Sequence, residues 1–240
     1  MNTGFDFIFP EDTGFTGTVL DDYLAAGYYR TQHLLFTTHE TPISSLDKTY
    51  PVFWLRIPLH NLVESASAVA IRKKCSAFTF SYKKATVTKK AKELYSQYLN
   101  SIDFEAAASC ESYLYHPYFE NPFQSKMLEI KNGKDLIALG YFDVGSISLA
   151  GILNFYHPAY KKYSLGKYLM LKKLDYAITH KLQFYYTGYI STESNKFDYK
   201  IFPDKKAVEV YLPIEKTWVP FRNMGKEKLA LYFNEHMNKY

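Results

Sequence analysis

Between residues 136 and 190 the hydrophobic pattern changes period twice, and this constrains the fold more than any other feature of the chain. Residues 136–142 and 146–156 are apolar runs interrupted by Gly, Ser and Asn, which read as strands. From Ser164 to about His180 the apolar side chains Leu165, Tyr168, Leu169, Tyr176 and Ile178 recur near the 3.6-residue period, with Ser164 as the expected N-cap. Residues 182–190 return to a dense aromatic strand. A strand, helix, strand order predicts a right-handed crossover between parallel strands. Upstream, residues 126–130 read as a strand joined to the next by an Asn132-Gly133 hairpin turn, and Val144-Gly145 links the following pair. Downstream, 208–212 reads as a strand and 226–236 as a final helix.

The first half is less regular. Residues 20–27 read as a short helix, 28–37 and 50–58 as strands, and the polar stretch 38–49 as a loop between them. A helical stripe of Ala91, Leu94, Tyr95, Tyr98 and Leu99 predicts a helix within 87–102, while 103–121 mixes helix and break signals. The pattern divides the chain into a smaller α/β unit with a basic segment, residues 1–102, and an α+β unit, residues 103–240, built on a mixed sheet flanked by helices.

At 240 residues and 47% hydrophobic content the chain can bury a sizeable core. Its apolar runs are too short to span a bilayer, and residues 1–10 lack the basic cluster of a secretory signal. Cys75 and Cys110 are far apart, so neither a disulfide framework nor a zinc spacing is expected, and the expected compartment is cytoplasmic. The net charge is only +5, yet Arg72, Lys73, Lys74, Lys83, Lys84, Lys89, Lys90 and Lys92 follow one another with no acidic residue among them. Such a run suits phosphate contacts, or simply a solvated face.

Several short segments sharpen the reading. In order they are Phe142-Asp143-Val144, Tyr156-His157-Pro158, Ser164-Leu165-Gly166-Lys167-Tyr168, Tyr185-Tyr186-Thr187-Gly188-Tyr189 and Tyr199-Lys200. This series resembles the carboxy-terminal domain of the arginyl-tRNA–protein transferase family and its bacterial leucyl-tRNA–protein transferase relatives. Fainter matches in the first half are Tyr23-Leu24 followed by Gly27-Tyr28-Tyr29-Arg30-Thr31, the strand Trp54-Leu55-Arg56-Ile57-Pro58, and the basic segment Ala70-Ile71-Arg72-Lys73-Lys74. The resemblance implies a GNAT-like (acyl-CoA N-acyltransferase-like) fold. It implies an enzyme that transfers Arg or Leu from aminoacyl-tRNA to protein or peptide N-termini in the N-degron pathway, with no cofactor and no membrane partner. Family members carry an amino-terminal cysteine cluster, whereas no cysteine precedes Cys75 here. A metal or iron–sulfur site tied to that cluster is therefore not expected.

The implied chemistry is undemanding of side chains. The donor ester is already activated, and an α-amino group titrating near pH 8 is partly nucleophilic at neutral pH. Orientation and oxyanion stabilisation then suffice. The catalytic candidates are Asp143, to orient the amine or hold the aminoacyl α-ammonium; Tyr156, to line the pocket; and His157, as acid or base. Asp143 also reads as a turn residue, and His157 as a solvated loop residue. Ser164, Leu165, Gly166 and Lys167 place a helix N-terminus and positive charge where the terminal phosphates of tRNA would lie, or else cap an ordinary crossover helix. Tyr186 and Tyr189 are candidates for the aminoacyl-adenosine pocket, although strand alternation puts Tyr185 and Tyr186 on opposite faces. Arg30, Arg56, Arg72 and Lys73 suit tRNA phosphates or an acidic acceptor side chain, with structural ion pairs the alternative for Arg30 and Arg56.

Two other readings stand beside this one. An acetyl-CoA-dependent N-acetyltransferase would need a glycine-rich pyrophosphate loop, but residues 161–168 hold one glycine and Tyr168 where a small residue belongs. A noncatalytic RNA- or protein-binding relative is the third. The donor amino acid, the acceptor residue and the oligomeric state are not written in these motifs.

Overall fold

The computed structural model describes residues 5–11, 14–43, 48–202 and 204–237. In chain order its strands and helices are β1 (Phe5–Ile8), α1 (Gly17–Ala25), β2 (Tyr29–Thr31), β3 (Leu34–Thr38), β4 (Glu40–Ile43), β5 (Lys48–Pro58), α2 (Ala66–Lys74), β6 (Thr79–Lys84), α3 (Lys89–Leu99), α4 (Glu111–Leu114), β7 (Ser125–Asn132), β8 (Asp135–Val144), β9 (Ser148–Tyr156), α5 (Leu165–Thr179), β10 (Phe184–Ser191), β11 (Glu209–Leu212), β12 (Thr217–Pro220) and α6 (Phe221–His236). Among the described residues, a nine-stranded sheet runs in the order β12-β11-β5-β10-β9-β8-β7-β6 with β4 hydrogen-bonded to β5, and a separate three-stranded sheet runs β1-β3-β2.

The second half forms the expected layout. β7, β8 and β9 are an antiparallel meander, α5 crosses over, and β10 returns parallel to β9. The β7–β8 hairpin turns at Gly133, with Asn132 opposite Asp135. α5 buries Leu165, Leu169, Leu171 and Leu174 completely, and each such side chain is worth about 1.5–3 kcal/mol against exposure. α2, α5 and α6 cover one face of the large sheet. The other face carries two separate clusters: the small sheet with α1 at one end, and α3 with α4 at the other. This is the expected mixed α+β arrangement, with helices on both faces of the large sheet.

Four expectations need correction. Residues 28–37 are not one strand but a hairpin, β2 and β3, because Gln32 adopts a positive φ of 52° and turns the chain. Within 38–49, residues 40–43 and 48–49 pair as β4 and β5, while 44–47 lie outside the described residues. Ser164 is not a side-chain N-cap, since it sits in the left-handed region at φ 54°, ψ 46° and makes no capping bond. The division at residue 102 matches no break in the large sheet: β5 lies between β10 and β11, and β6 edges β7. β5 is buried almost throughout residues 51–58, so it needs neighbours on both sides and packing on both faces.

Candidate active-site cleft

β10 pairs with β9 only over Phe184↔Ser148, Tyr185↔Leu149 and Tyr186↔Ala150. Beyond that point β9 follows β8, and β10 follows β5 through a bulge at Thr187. The two strands part, and the gap opens into a cleft of about 1120 Å³. Its walls belong to both sides of the sheet. Met170 and Tyr185 line it from the α5 side, while Tyr29 and Trp54 line it from the small-sheet side and Tyr95 from α3. The cleft therefore passes through the sheet, between the two clusters that share that face.

On the α5 side the mouth is formed by Lys161, Ser164, Gly166 and Lys167. Because no side chain caps α5, its first N–H groups are left for a ligand, and the positive end of the helix favours an anion. On the other side the chamber is aromatic. Tyr29 stacks on Trp54 at 5.0 Å, and Trp54 meets Tyr189 edge-on at 5.3 Å. Tyr98 packs against Tyr156 at 5.3 Å. Burial raises the Tyr29, Tyr98, Tyr156 and Tyr189 phenols, so all remain protonated donors at neutral pH.

Two lysines project into this chamber from the loop after β10. Lys200 lies 4.4 Å from the Tyr189 ring centroid and 4.9 Å from that of Phe197, and desolvation, aided by Lys196, lowers its pKa to about 7. It sits over Gly188, whose φ of +100° and missing side chain make room for it; a Cβ there would lie 2.8 Å from the Lys200 Nζ. Lys196 donates to the Glu105 carbonyl at 3.3 Å and lies over the Phe104 ring at 4.5 Å, tying residues 103–106 across the cleft.

The sequence candidates separate into those the fold brings to the cleft and those it does not. Tyr156, Ser164, Gly166, Lys167 and Tyr189 line it, and Arg30 borders it with a side chain only 1% exposed. Leu165 is core, and Tyr186 is buried against Trp218. Tyr185, on the opposite face, is the tyrosine of that pair that reaches the cleft. His157 lies outside the lining, and its Nδ1 accepts from the Ala159 N–H at 3.2 Å, capping the turn that follows.

Asp143 also lies outside the cleft lining. It is 1% exposed, and its Oδ1 takes the Arg30 Nη1 at 2.7 Å and the Ser125 hydroxyl at 2.6 Å. Arg30 spends its other donors on the carbonyls of Gln32 and Leu114 and on Asn121 Oδ1, with its guanidinium over the Phe123 ring. It is a buried structural partner, not a phosphate contact. Arg56 pairs with Glu209 at 2.7 Å, and Arg72 is held by Glu64 and Asp175. Lys73 lies exposed on α2 and outside the cleft lining. Elsewhere in the basic run Lys83 pairs with Glu129 and Lys92 with Glu111.

Sequence reasoning passed over Tyr29, Trp54, Asn154, Lys196 and Lys200 as site residues. The signals available were the Tyr199-Lys200 pair and the fainter first-half segments that hold Tyr29 and Trp54. Among the described residues, no group of three or more His, Cys, Asp or Glu could hold a metal ion, and no helix is long and apolar enough to cross a membrane.

Comparison with known proteins places this geometry. Residues 90–205, from α3 to the loop bearing Lys200, match the family model for arginine-tRNA-protein transferase, C terminus. The chain is 33% identical over 91 residues to arginyl-tRNA–protein transferase 1 of Arabidopsis thaliana, a match covering 36% of this chain and 14% of that protein. It is 23% identical over 218 residues to the aspartate/glutamate leucyltransferase of a Leptospira interrogans strain, covering 89% of this chain and 82% of that one. Among solved structures, the C-terminal domain of a lysylphosphatidylglycerol synthetase from Agrobacterium fabrum aligns at a TM-score of 0.46 and 9% identity, over 58% of this chain and 46% of the other. The parting of β9 from β10 and the open start of α5 fall within the matched segment, while Tyr29 and Trp54 of the cleft lie outside it, and over residues 90–205 the chain is similar to the C-terminal domain of the arginine-tRNA-protein transferase family.

Proposed function

We propose that the protein transfers an amino acid, Arg or Leu, from aminoacyl-tRNA to the α-amino group of a protein N-terminus. The observation that carries this reading is the passage through the sheet, which joins a basic mouth at α5 to an aromatic chamber on the opposite face. A donor and an acceptor can approach one point from two sides. The terminal phosphates meet the free N–H groups of α5 with Lys161 and Lys167, and the terminal adenosine enters between Tyr156 and Tyr185. The acceptor peptide comes through the chamber lined by Tyr29, Trp54 and Tyr189.

The acceptor nitrogen attacks the ester carbonyl, an amide forms, and the ribose hydroxyl departs with a proton. Lys200, with its pKa near 7, takes the proton lost by the attacking ammonium. The cleft walls hold the two reactants in line, and this supplies most of the acceleration. The reaction needs no cofactor, and its donor places it in the cytosol.

The test is a transfer assay with labelled, charged tRNAs and peptides beginning with Asp, Glu, Lys or Arg. RNA-dependent label on the peptide amine, lost in Gly166→Trp, supports the reading. Label from no charged tRNA, together with saturable acetyl transfer from acetyl-CoA, overturns it.

A further inference from the structure

The cleft exists because β9 leaves β10, and the part of β9 that leaves is irregular. Tyr141 pairs with Leu153 and Phe142 with Gly151, so Ile152 is an extra residue in the β8–β9 ladder. A bulge disrupts local pairing, and this one lies where β10 no longer supports the strand. Residues 151–154 nevertheless form the cleft wall, where the reacting groups need fixed surroundings.

Two side chains reach this segment from opposite faces of the sheet. From the small-sheet side, the buried Tyr29 hydroxyl lies 2.5 Å from the Gly151 carbonyl oxygen and 3.0 Å from that of Tyr186, one on each strand at the point of separation. From the α5 side, Lys173 is fully buried; its Nζ donates to the Tyr141 carbonyl at 2.7 Å and lies 3.5 Å from that of Leu153. Those two residues are the pair that flanks the bulge. Gly140 leaves the space for this, since a Cβ there would stand 3.0 Å from the Lys173 Cε and 2.8 Å from Asn154 Oδ1. Burying an amine is costly even with two carbonyls as acceptors and the Asp143 charge nearby, and a purely structural filler at this position would be apolar.

We propose that Tyr29 and Lys173 are positioning residues for the transfer reaction, clamping the bulged segment 151–153 from the two faces of the sheet so that the wall beside the donor ester keeps one geometry. This rests on the transferase reading above. Tyr29 acts through Gly151 and Lys173 through Leu153, so deleting either releases the same segment.

The experiment compares wild type with Tyr29→Phe and Lys173→Met by hydrogen exchange across residues 150–154 and by steady-state transfer. In both variants exchange at 150–154 accelerates while β5 and β11 keep their protection. kcat falls by about tenfold to a hundredfold in both, with KM for charged tRNA unchanged. Wild-type exchange at 150–154 in both variants overturns the clamp, as does an undiminished kcat. If Lys173→Met does not fold, Gly140→Ala, which displaces the lysine without deleting it, supplies the second variant. Should the wild type transfer from no charged tRNA, the transferase reading fails alone, and the exchange result still decides the clamp.

Discussion

Replacing Arg30 with methionine should be among the most damaging single changes in the chain. It leaves the Asp143 carboxylate buried with only Ser125 as partner, a situation that typically costs about 3–5 kcal/mol. Chemical denaturation of Arg30→Met should show that loss, and adding Asp143→Leu should recover most of it because no unpaired charge remains. Full stability in the single variant would contradict the assignment. Lys173 makes a second prediction at this scale. Burial lowers its folded pKa to about 7 from the ordinary 10.5, so between those values the unfolded chain binds the extra proton. Stability on its account rises with pH across that window and is flat below it. Unfolding free energies measured at pH 7 and pH 9 should differ more in wild type than in Lys173→Met. Lys200 titrates in the same range but within the cleft. The pH profile of kcat/KM should therefore carry an inflection near 7 that vanishes in Lys200→Met, leaving only the amine's own titration near 8.

At the level of elements, the bulge in β10 and the start of α5 set the two mouths of the cleft. Gly188→Ala forces a side chain into a backbone with φ of +100° and against the Lys200 ammonium. The strain should cost about 1–3 kcal/mol and tilt Lys200 away, seen as a lowered melting temperature together with reduced transfer. At α5, charged-tRNA affinity should fall with salt, and Lys167→Gln should flatten the dependence of log K on log salt by about one phosphate contact. An unchanged slope would remove Lys167 from the donor site. These elements were readable in the sequence because their signals are local. The 3.6-residue stripe of α5, the turn at Gly133 and the aromatic run of β10 depend on neighbours a few residues apart. The β2–β3 hairpin was missed because its turn uses Gln32 at positive φ, a conformation the residue type does not announce. The edge strand β6 was missed because Lys83 and Lys84 read as a charge run, though lysines are common guards of an exposed sheet edge.

For the whole molecule, the large sheet ignores the division suggested by composition. Residues 103–240 expressed alone lack β5 from the centre of the sheet and β6 from its edge, so they should not unfold cooperatively or give a dispersed amide spectrum. A folded fragment would show that the first half is dispensable. The cleft has the same dependence, since Tyr29 and Trp54 come from the first half while Tyr156, Gly166 and Lys200 come from the second. By itself the sequence determined most strands and helices of the second half and the parallel β9–α5–β10 crossover, and it singled out the segments bearing Tyr156, Gly166 and Lys167, because periodicity and turn chemistry act over short stretches. Only the tertiary structure decided that Asp143 and Arg30, 113 residues apart, neutralise each other, that Arg72 is spent on Glu64 and Asp175, and that Lys200 stands over Gly188 in the gap. The reason is physical: a charge or a ring is fixed by the chain, but its partner, and hence its availability for chemistry, is set by contacts between segments that no local pattern records.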